Sequence, residues 1–443
     1  MKHRLKSSFL LLTIMLVAFT TMIGNPMPAS AAVDVKAKSA ILVDADTGKI
    51  LFEKNADMIL PPASMTKMMS EYLVLEAIEE GKIKWDTTTQ ISDYAYSISA
   101  NTSFSGVGLT QQKDYTVREL YEAMAINSDN ATTITLAELV AGSEGEFVKM
   151  MNKKAKEMGL PEAEFVNSTG LHNSDLGDNY PKGTEPDADN LLSARSAALL
   201  AYHLINDFPD ALEISSIPST TFDEQQLNNL NWMLPGSEIQ DGAFSFDGMD
   251  GLKTGWTDTA GYCFTGTSER NGTRLITVVM KTNSEQERFQ ETRKLMEYGY
   301  NQFERKELYP SNHQIKNEST LAVTKGKEDA VEIASAAPLE TIIQKGTADQ
   351  YSVTYNLDQA KFNEDNELTA PVEKGEKVGT IELEYKGDDF GYITDDAPKS
   401  QTVDVVTQTA VEKANWFTLS MRSIGEFFSN VFNSVVDTIT GWF

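Results

Sequence analysis

Three short strings stand in order along the chain: Ser64-Met65-Thr66-Lys67, Ser128-Asp129-Asn130 and Lys253-Thr254-Gly255. Together they carry two hydroxyls, an amide, two amines and a glycine. A serine hydroxyl becomes a useful nucleophile only when a base takes its proton. Lys67 follows Ser64 by three residues, one turn up the same helix face, within reach of that hydroxyl. A lysine is a base only when neutral; burial and a second cation both lower its pKa, and Lys253 is the candidate neighbour. Ser64 opens a helix, where free N–H groups and the dipole favour developing negative charge. Ser128 can pass a proton to a leaving amine, and Asn130 can hold a substrate amide. Gly255 leaves a strand bare where a substrate backbone would pair with it. Such a set suits acyl transfer through a covalent serine intermediate. Each string alone is weak. Ser-x-x-Lys arises by chance about once or twice in a chain of this composition, and Ser and Asn routinely cap helices and fill turns. The order of all three, at a helix start, an inter-helix loop and a strand, carries the argument.

The elements that must hold these residues are legible nearby. Ala40 to Val43 and Lys49 to Phe52 flank a turn and read as a β-hairpin. A helix is predicted from Ser64 to Glu80 with Gly81 as its stop, apolar on several sides through Met65, Met68, Met69, Tyr72, Leu73 and Leu75. Capping boxes at Thr116-Val117-Arg118-Glu119 and Ser143-Glu144-Gly145-Glu146 start helices on either side of a break at Asn127 to Asn130. Gly251 to Trp256, Gly261 to Thr267 and Arg274 to Lys281 read as successive strands, the last two joined by a type I′ turn at Asn271-Gly272. A further capping box at Ser284 to Glu287 begins a helix reaching about Phe303. The expectation is an α/β (α+β) domain with a central antiparallel sheet.

The chain has 443 residues, too many for one ordinary core. Lys2, Arg4 and Lys6 precede an apolar run from Phe9 to Val17, and Ala29-Ser30-Ala31 offers small residues for cleavage, so 1–31 reads as an export signal. Domains are expected at 32–306 and, as a small all-β sandwich of alternating strands, at 307–399. The remainder, 400–443, reads as a linker and an amphipathic helix. There Phe417, Met421, Ile424, Phe428, Val431, Val435, Ile439 and Trp442 recur at helical spacing opposite a polar face. Too polar to span a bilayer, that helix suits the membrane surface, with apolar burial as its only drive because the polar face is acidic. The net charge of −27 supplies no basic stripe and excludes nucleic acid as a partner. Cys263 is the single cysteine, so no internal disulfide forms, and the four histidines show no ligand spacing for a metal. No cofactor is expected.

With these strings in view, the chain resembles the low-molecular-mass penicillin-binding proteins of the D-alanyl-D-alanine carboxypeptidase type, close to the type 5 enzymes. The trio is a signature of penicillin-binding proteins and class A β-lactamases. Pro62-Ala63-Ser64-Met65-Thr66-Lys67, Asn167-Ser168-Thr169-Gly170-Leu171 and Lys253-Thr254-Gly255 with Ala260-Gly261-Tyr262 are further family strings. The resemblance implies removal of the terminal D-alanine from peptidoglycan stem peptides, with β-lactams as inhibitors. It implies that Ser64 attacks, Lys67 is its base, Ser128 protonates the leaving group, and Asn130 and Lys253 line the site. Ser64 and Trp256 would supply oxyanion-hole N–H groups, while Thr254 and Arg288 would hold the substrate's terminal carboxylate, a task suited to a guanidinium. One departure stands out: the family's Ser-Ala-Arg string usually continues with Asp, whereas here Ser193-Ala194-Arg195 is followed by Ser196.

Three alternatives stay open at this point. A β-lactamase needs an extra base to drive water onto the acyl-enzyme, and Glu164 is the nearby candidate. An endopeptidase or transpeptidase would share the acyl-enzyme chemistry. An inactive wall-binding protein would have no use for the complete set of reactive residues.

Overall fold

Alternating runs of β-branched and aliphatic residues build one antiparallel sheet at the centre of the N-terminal region. In the computed structural model, which describes residues 33–160, 162–387, 390–394 and 402–421, β1 (Ser39–Asp44) and β2 (Ile50–Lys54) form the expected hairpin. Residues 1–31 and 422–443, with the export signal and most of the amphipathic helix, lie outside that description. Two ribbons follow, β3 (Thr88–Thr89) with β4 (Tyr115–Thr116) and β5 (Ser219–Phe222) with β6 (Gln225–Asn228). Next come β7 (Met249–Thr257), β8 (Gly261–Arg270) and β9 (Thr273–Thr282), and the main sheet runs β2-β1-β9-β8-β7. The turn between β8 and β9 places Asn271 (φ 51°) and Gly272 (φ 73°) in the left-handed region, as a type I′ turn requires. β7, carrying Lys253-Thr254-Gly255, is an edge strand with one free backbone row.

Eight helices accompany these strands among the described residues up to 302. α1 (Lys67–Glu79) follows a 3-10 turn at Ala63–Thr66, and its buried residues fall on every side, as a central helix demands. The expected single helix from Ser64 therefore begins as a tighter turn, which sets the nucleophile just ahead of α1. α2 (Asp93–Ser99), α3 (Val117–Asn127), α4 (Asn130–Ala141) and α5 (Glu144–Glu157) complete a helical block. Thr116 and Glu119 form a full capping box on α3; Ser143 caps α5 through the Glu146 N–H. α6 (Ala194–Asp207) packs on one face of the sheet and α8 (Glu285–Gln302) on the other, with the short α7 (Ala211–Ser215) against β7. At the α8 end, Ser284 accepts from the Glu287 N–H, while the Glu287 carboxylate turns to Asn283 rather than closing the expected box. A Cβ on Gly299 of α8 would stand 2.6 Å from Leu275 Cδ1, so a glycine is what lets this helix lie so close to the sheet.

From Phe303 onward the chain is β-rich. β10 (Phe303–Tyr309) pairs with β13 (Leu339–Gln344). The strands β11 (Thr320–Thr324), β12 (Ala330–Ser335), β14 (Tyr351–Leu357), β15 (Leu368–Thr369), β16 (Lys377–Tyr385) and β17 (Thr402–Thr407) form a six-stranded sheet ordered β14-β16-β17-β12-β11-β15. β17 falls beyond residue 399, inside the stretch that composition marks as a linker. It pairs with β16 and β12, and its Val405 enters the core beside Ile333 and Ile381. The two regions meet through polar contacts: Arg305 of β10 reaches Asp44 and Asp46, and buried Lys49 donates to the Tyr351 hydroxyl at 3.0 Å.

Candidate active site

The 3-10 turn, the α3–α4 junction and β7 bring the three strings to one cleft of about 320 Å³, lined by Ser64, Ser128, Thr254, Gly255, Trp256 and Arg288 among others. A larger concavity of about 730 Å³ beside Arg195, Glu162 and His203 holds none of the three strings.

Lys67 is the centre of the site. Its ammonium nitrogen is fully buried, 3.1 Å from Ser64 Oγ, 2.8 Å from Asn130 Oδ1 and 2.7 Å from the Thr169 carbonyl. A neutral amine has two N–H donors and one lone pair. Asn130 and Thr169 take the two donors, which leaves the lone pair directed to the Ser64 hydroxyl. Burial first, and the Lys253 charge second, hold the Lys67 pKa well below the ordinary lysine value of 10.5, against the opposing fields of Asp129, Glu71 and Glu144. Burial and the neighbouring cation thus shift Lys67 toward the neutral form that the geometry accommodates.

Each partner of Lys67 is itself fixed. Asn130 opens α4; its Nδ2 donates to the Ser105 carbonyl at 3.1 Å, so both ends of its amide are engaged by protein groups. Asn130 thus ties Lys67 to the Ser105 segment. Buried Asp129 caps α4 through the Thr132 N–H and accepts from the Val107 N–H, both at 2.6 Å. The Thr169 carbonyl is presented by the Asn167–Leu171 loop, where Asn167 Oδ1 accepts from the N–H groups of Thr169 and Gly170. Behind it, buried Glu144 accepts from the Ser168 N–H at 2.9 Å, the Ser168 hydroxyl at 2.6 Å and the Tyr94 hydroxyl at 2.9 Å. Sequence reasoning noticed the loop only as a family string. Its role rests on a backbone carbonyl, which no residue type announces.

Two serines sit on left-handed or left-handed-adjacent backbone. Ser128 has φ 62°, and Ala63, just before Ser64, has φ 50°. Non-glycine residues there are strained, and such strain clusters at functional sites. Ser128 Oγ is buried and has no hydrogen-bond partner, an unusual state for a buried hydroxyl lining a cleft.

The glycines press the elements together. A Cβ on Gly255 would stand 2.5 Å from the Pro62 carbonyl oxygen, and one on Gly170 (φ 86°) 1.9 Å from the Ala63 carbonyl oxygen. Gly255 is thus required by the protein's own serine turn, a reason different from the expected approach of a substrate backbone.

Lys253 is buried, and its ammonium makes a 3.4 Å contact to the Thr254 carbonyl. Burial lowers its pKa to about 8 against the pull of Glu71, with Arg288 adding to the depression. Glu71, one turn beyond Lys67 on α1, is raised to about 7 by burial. Arg288 is 3% exposed, donates to the Gly255 carbonyl at 3.3 Å and pairs with Glu285 at 2.8 Å. Burial lowers its pKa to about 10, which leaves it charged at neutral pH. Trp256 is half exposed at the rim, tilted over Tyr262 with ring centroids 5.9 Å apart.

Other residues fall outside the cleft. Exposed Glu164 is not among its lining, and its backbone pairs with Leu191. His172 caps a 3-10 turn by accepting from the Ser174 N–H. Cys263 is packed inside β8. Ser196, where the family string would carry Asp, donates with Ser193 to the Glu162 carboxylate at the start of α6.

Comparison with known proteins adds relatives for both regions of the chain. A family model described as D-alanyl-D-alanine carboxypeptidase matches residues 25–284, and one described as the C-terminal domain of penicillin-binding protein 5 matches residues 303–413. The chain is 31% identical over 422 residues to the D-alanyl-D-alanine carboxypeptidase DacF of Bacillus subtilis, covering 95% of this chain and 98% of the relative. Among solved structures it is similar to a peptidoglycan synthesis regulatory factor (PBP3) from Streptococcus pneumoniae, at 37% identity and a TM-score of 0.71, covering 85% of this chain and all of that one. Penicillin-binding protein D2 from Listeria monocytogenes, solved with ampicillin bound, is 33% identical with a TM-score of 0.51, over 60% of this chain and 99% of that one.

Proposed function

Since the chain belongs to the D-alanyl-D-alanine carboxypeptidase family, we propose that its activity runs through an acyl-enzyme on Ser64, with Lys67 as the base. The activity itself is that of a serine-type D-alanyl-D-alanine carboxypeptidase, a hydrolase. The observation that carries the proposed roles is the three-way environment of Lys67, which satisfies both donors of a neutral amine and leaves its lone pair for Ser64. As Ser64 Oγ bonds to the penultimate D-alanine carbonyl, its proton passes to Lys67 Nζ. Backbone N–H groups of Ser64 and Trp256 stabilise the oxyanion. Ser128, whose Oγ has no hydrogen-bond partner among the described residues, donates a proton to the departing D-alanine nitrogen as the C–N bond breaks, and the proton held by Lys67 restores the Ser128 hydroxyl. Thr254 and Arg288 hold the carboxylate of that residue, with Lys253 supplying positive charge beneath. Water then attacks the ester and returns Ser64 to its hydroxyl form. A β-lactam, as a cyclic acyl donor, acylates the same serine, in line with the ampicillin complex of the Listeria relative.

The soluble protein incubated with a diacyl-L-lysyl-D-alanyl-D-alanine tripeptide should release D-alanine. With benzylpenicillin its intact mass should rise by one drug molecule, mapping to Ser64. Hydrolysed penicillin without a persisting adduct would reassign the site to a β-lactamase, and no release with no adduct would overturn the assignment.

The mature enzyme works outside the cytoplasmic membrane, exported by residues 1–31 and held at the membrane surface by its C-terminal helix. Residues 416–421 are helical, and Trp416, Phe417 and Met421 stand 78%, 60% and 54% exposed, a largely uncovered apolar group. No helix among the described residues is long and apolar enough to cross a membrane. Residues 32–443 should therefore float with phosphatidylcholine vesicles and residues 32–414 should not. Equal flotation of both would remove the anchor.

A further inference from the structure

We propose that Glu285 is a built-in competitor for the substrate's terminal carboxylate, occupying Arg288 in the free enzyme and setting how strongly the cleft prefers ligands with a free C-terminus. The inference rests on Arg288 as the carboxylate's partner and adds a determinant of that preference. Arg288 is buried, and its guanidinium has a fixed distribution of donors. Nη1 donates to the Gly255 carbonyl at 3.3 Å, Nη2 to Glu285 Oε1 at 2.8 Å, and Nε has no partner. Glu285 lies one turn before Arg288 on α8 and lines the same cleft, with 39% of its side chain exposed. The resting anion site therefore already holds a carboxylate, supplied by the first turn of the helix that carries the arginine.

Two consequences follow from charge alone. A ligand carboxylate must displace Glu285 or share the guanidinium with it, so its apparent affinity is reduced by the fraction of enzyme in which Glu285 is seated. A ligand with an uncharged C-terminus meets a pair that is close to neutral, so it is rejected less severely than a bare arginine would reject it. Glu285 thus narrows the gap between free-carboxylate and amide-terminated peptides, a gap otherwise set by the desolvated arginine. Because Glu285 is partly exposed, the effect is a modest one.

The test uses the soluble enzyme with the tripeptide above and its C-terminal amide. Glu285→Gln keeps shape and polarity and removes the charge. It is expected to lower KM for the carboxylate ligand by about threefold to fivefold, the size of a partly exposed ion pair. It should shift kcat less than twofold and raise the amide ligand's KM, since the charge that offsets Arg288 for an uncharged terminus is gone. With Arg288 left unneutralised, KM for the carboxylate should also climb more steeply with sodium chloride than in the parent enzyme. Glu285→Asp, which retains the charge, should bring KM back toward the parent value. An unchanged or raised KM in Glu285→Gln overturns the proposal; a raised one would make Glu285 an organiser of Arg288. Arg288→Ala separates the two layers. If it erases the preference for carboxylate over amide while Glu285→Gln does nothing, only the competitor falls. If Arg288→Ala leaves the preference intact, the carboxylate assignment falls and Glu285 with it.

Discussion

Ser64→Ala is expected to leave a folded protein that releases no D-alanine and takes up no penicillin mass. The loss in kcat should reach at least about 10⁴-fold, the scale seen when the nucleophile of a serine hydrolase is removed. The physical case is that nothing else in the cleft can replace it. Ser128 Oγ lines the same space, yet the contacts of Lys67 run to Ser64, Asn130 and Thr169, with no Lys67 hydrogen bond to Ser128. Stability should change little, since Ser64 is only half-buried and loses one 3.1 Å contact. Intact mass after penicillin treatment and a D-alanine assay on the same preparation check both halves. Turnover retained in the purified variant would sink the covalent mechanism.

How much of this was legible in the chain depends on whether the cause is local. Caps, a type I′ turn and strands of alternating or continuous apolar residues are local, so the hairpin, the break at Asn127 to Asn130 and the strands around Lys253-Thr254-Gly255 are found where the pattern puts them. The three reactive strings were legible because reactive side chains are rare in that order. What stayed hidden acts over long sequence distances or through the backbone. The Thr169 carbonyl meets Lys67 across 102 positions, and Glu144 reaches Ser168 across 24 to brace it. The acid beside Ser196 is Glu162, 34 positions earlier, a contact that a local string cannot reveal. Gly255 has a second neighbour, Pro62, that only the folded chain puts against it. β17 escaped notice because its pairing with β12 and β16 comes from elements far behind it in sequence.

Lys67→Arg is the substitution that distinguishes a base from a mere positive charge. Arginine keeps the cation but cannot give up its proton at any working pH. If Lys67 served only as a counter-charge, Arg would retain much of the activity. Acting as the base, its replacement should cut the acylation rate by about 10³-fold or more, toward the upper end of what general-base catalysis contributes. The pH profile of the parent enzyme carries the same signature with a definite sign. Acylation requires neutral Lys67, so kcat/KM should fall as pH drops through that residue's lowered pKa. It should fall again as pH rises past about 8, where Lys253 loses the charge that supports the ligand carboxylate. Lys253→Arg should then push the alkaline limb upward by more than one pH unit while leaving a cation beside Lys67. Folding is linked to the same proton. Lys67 binds fewer protons folded than unfolded between its lowered pKa and 10.5, so its contribution makes the protein more stable as pH rises through that window. Lys67→Met removes that slope, and the thermal midpoint of the parent relative to the variant should rise from pH 7 to pH 10. A flat difference, together with an active Lys67→Arg enzyme, would mean that the lysine is charged in the folded site and that the proton of Ser64 goes elsewhere.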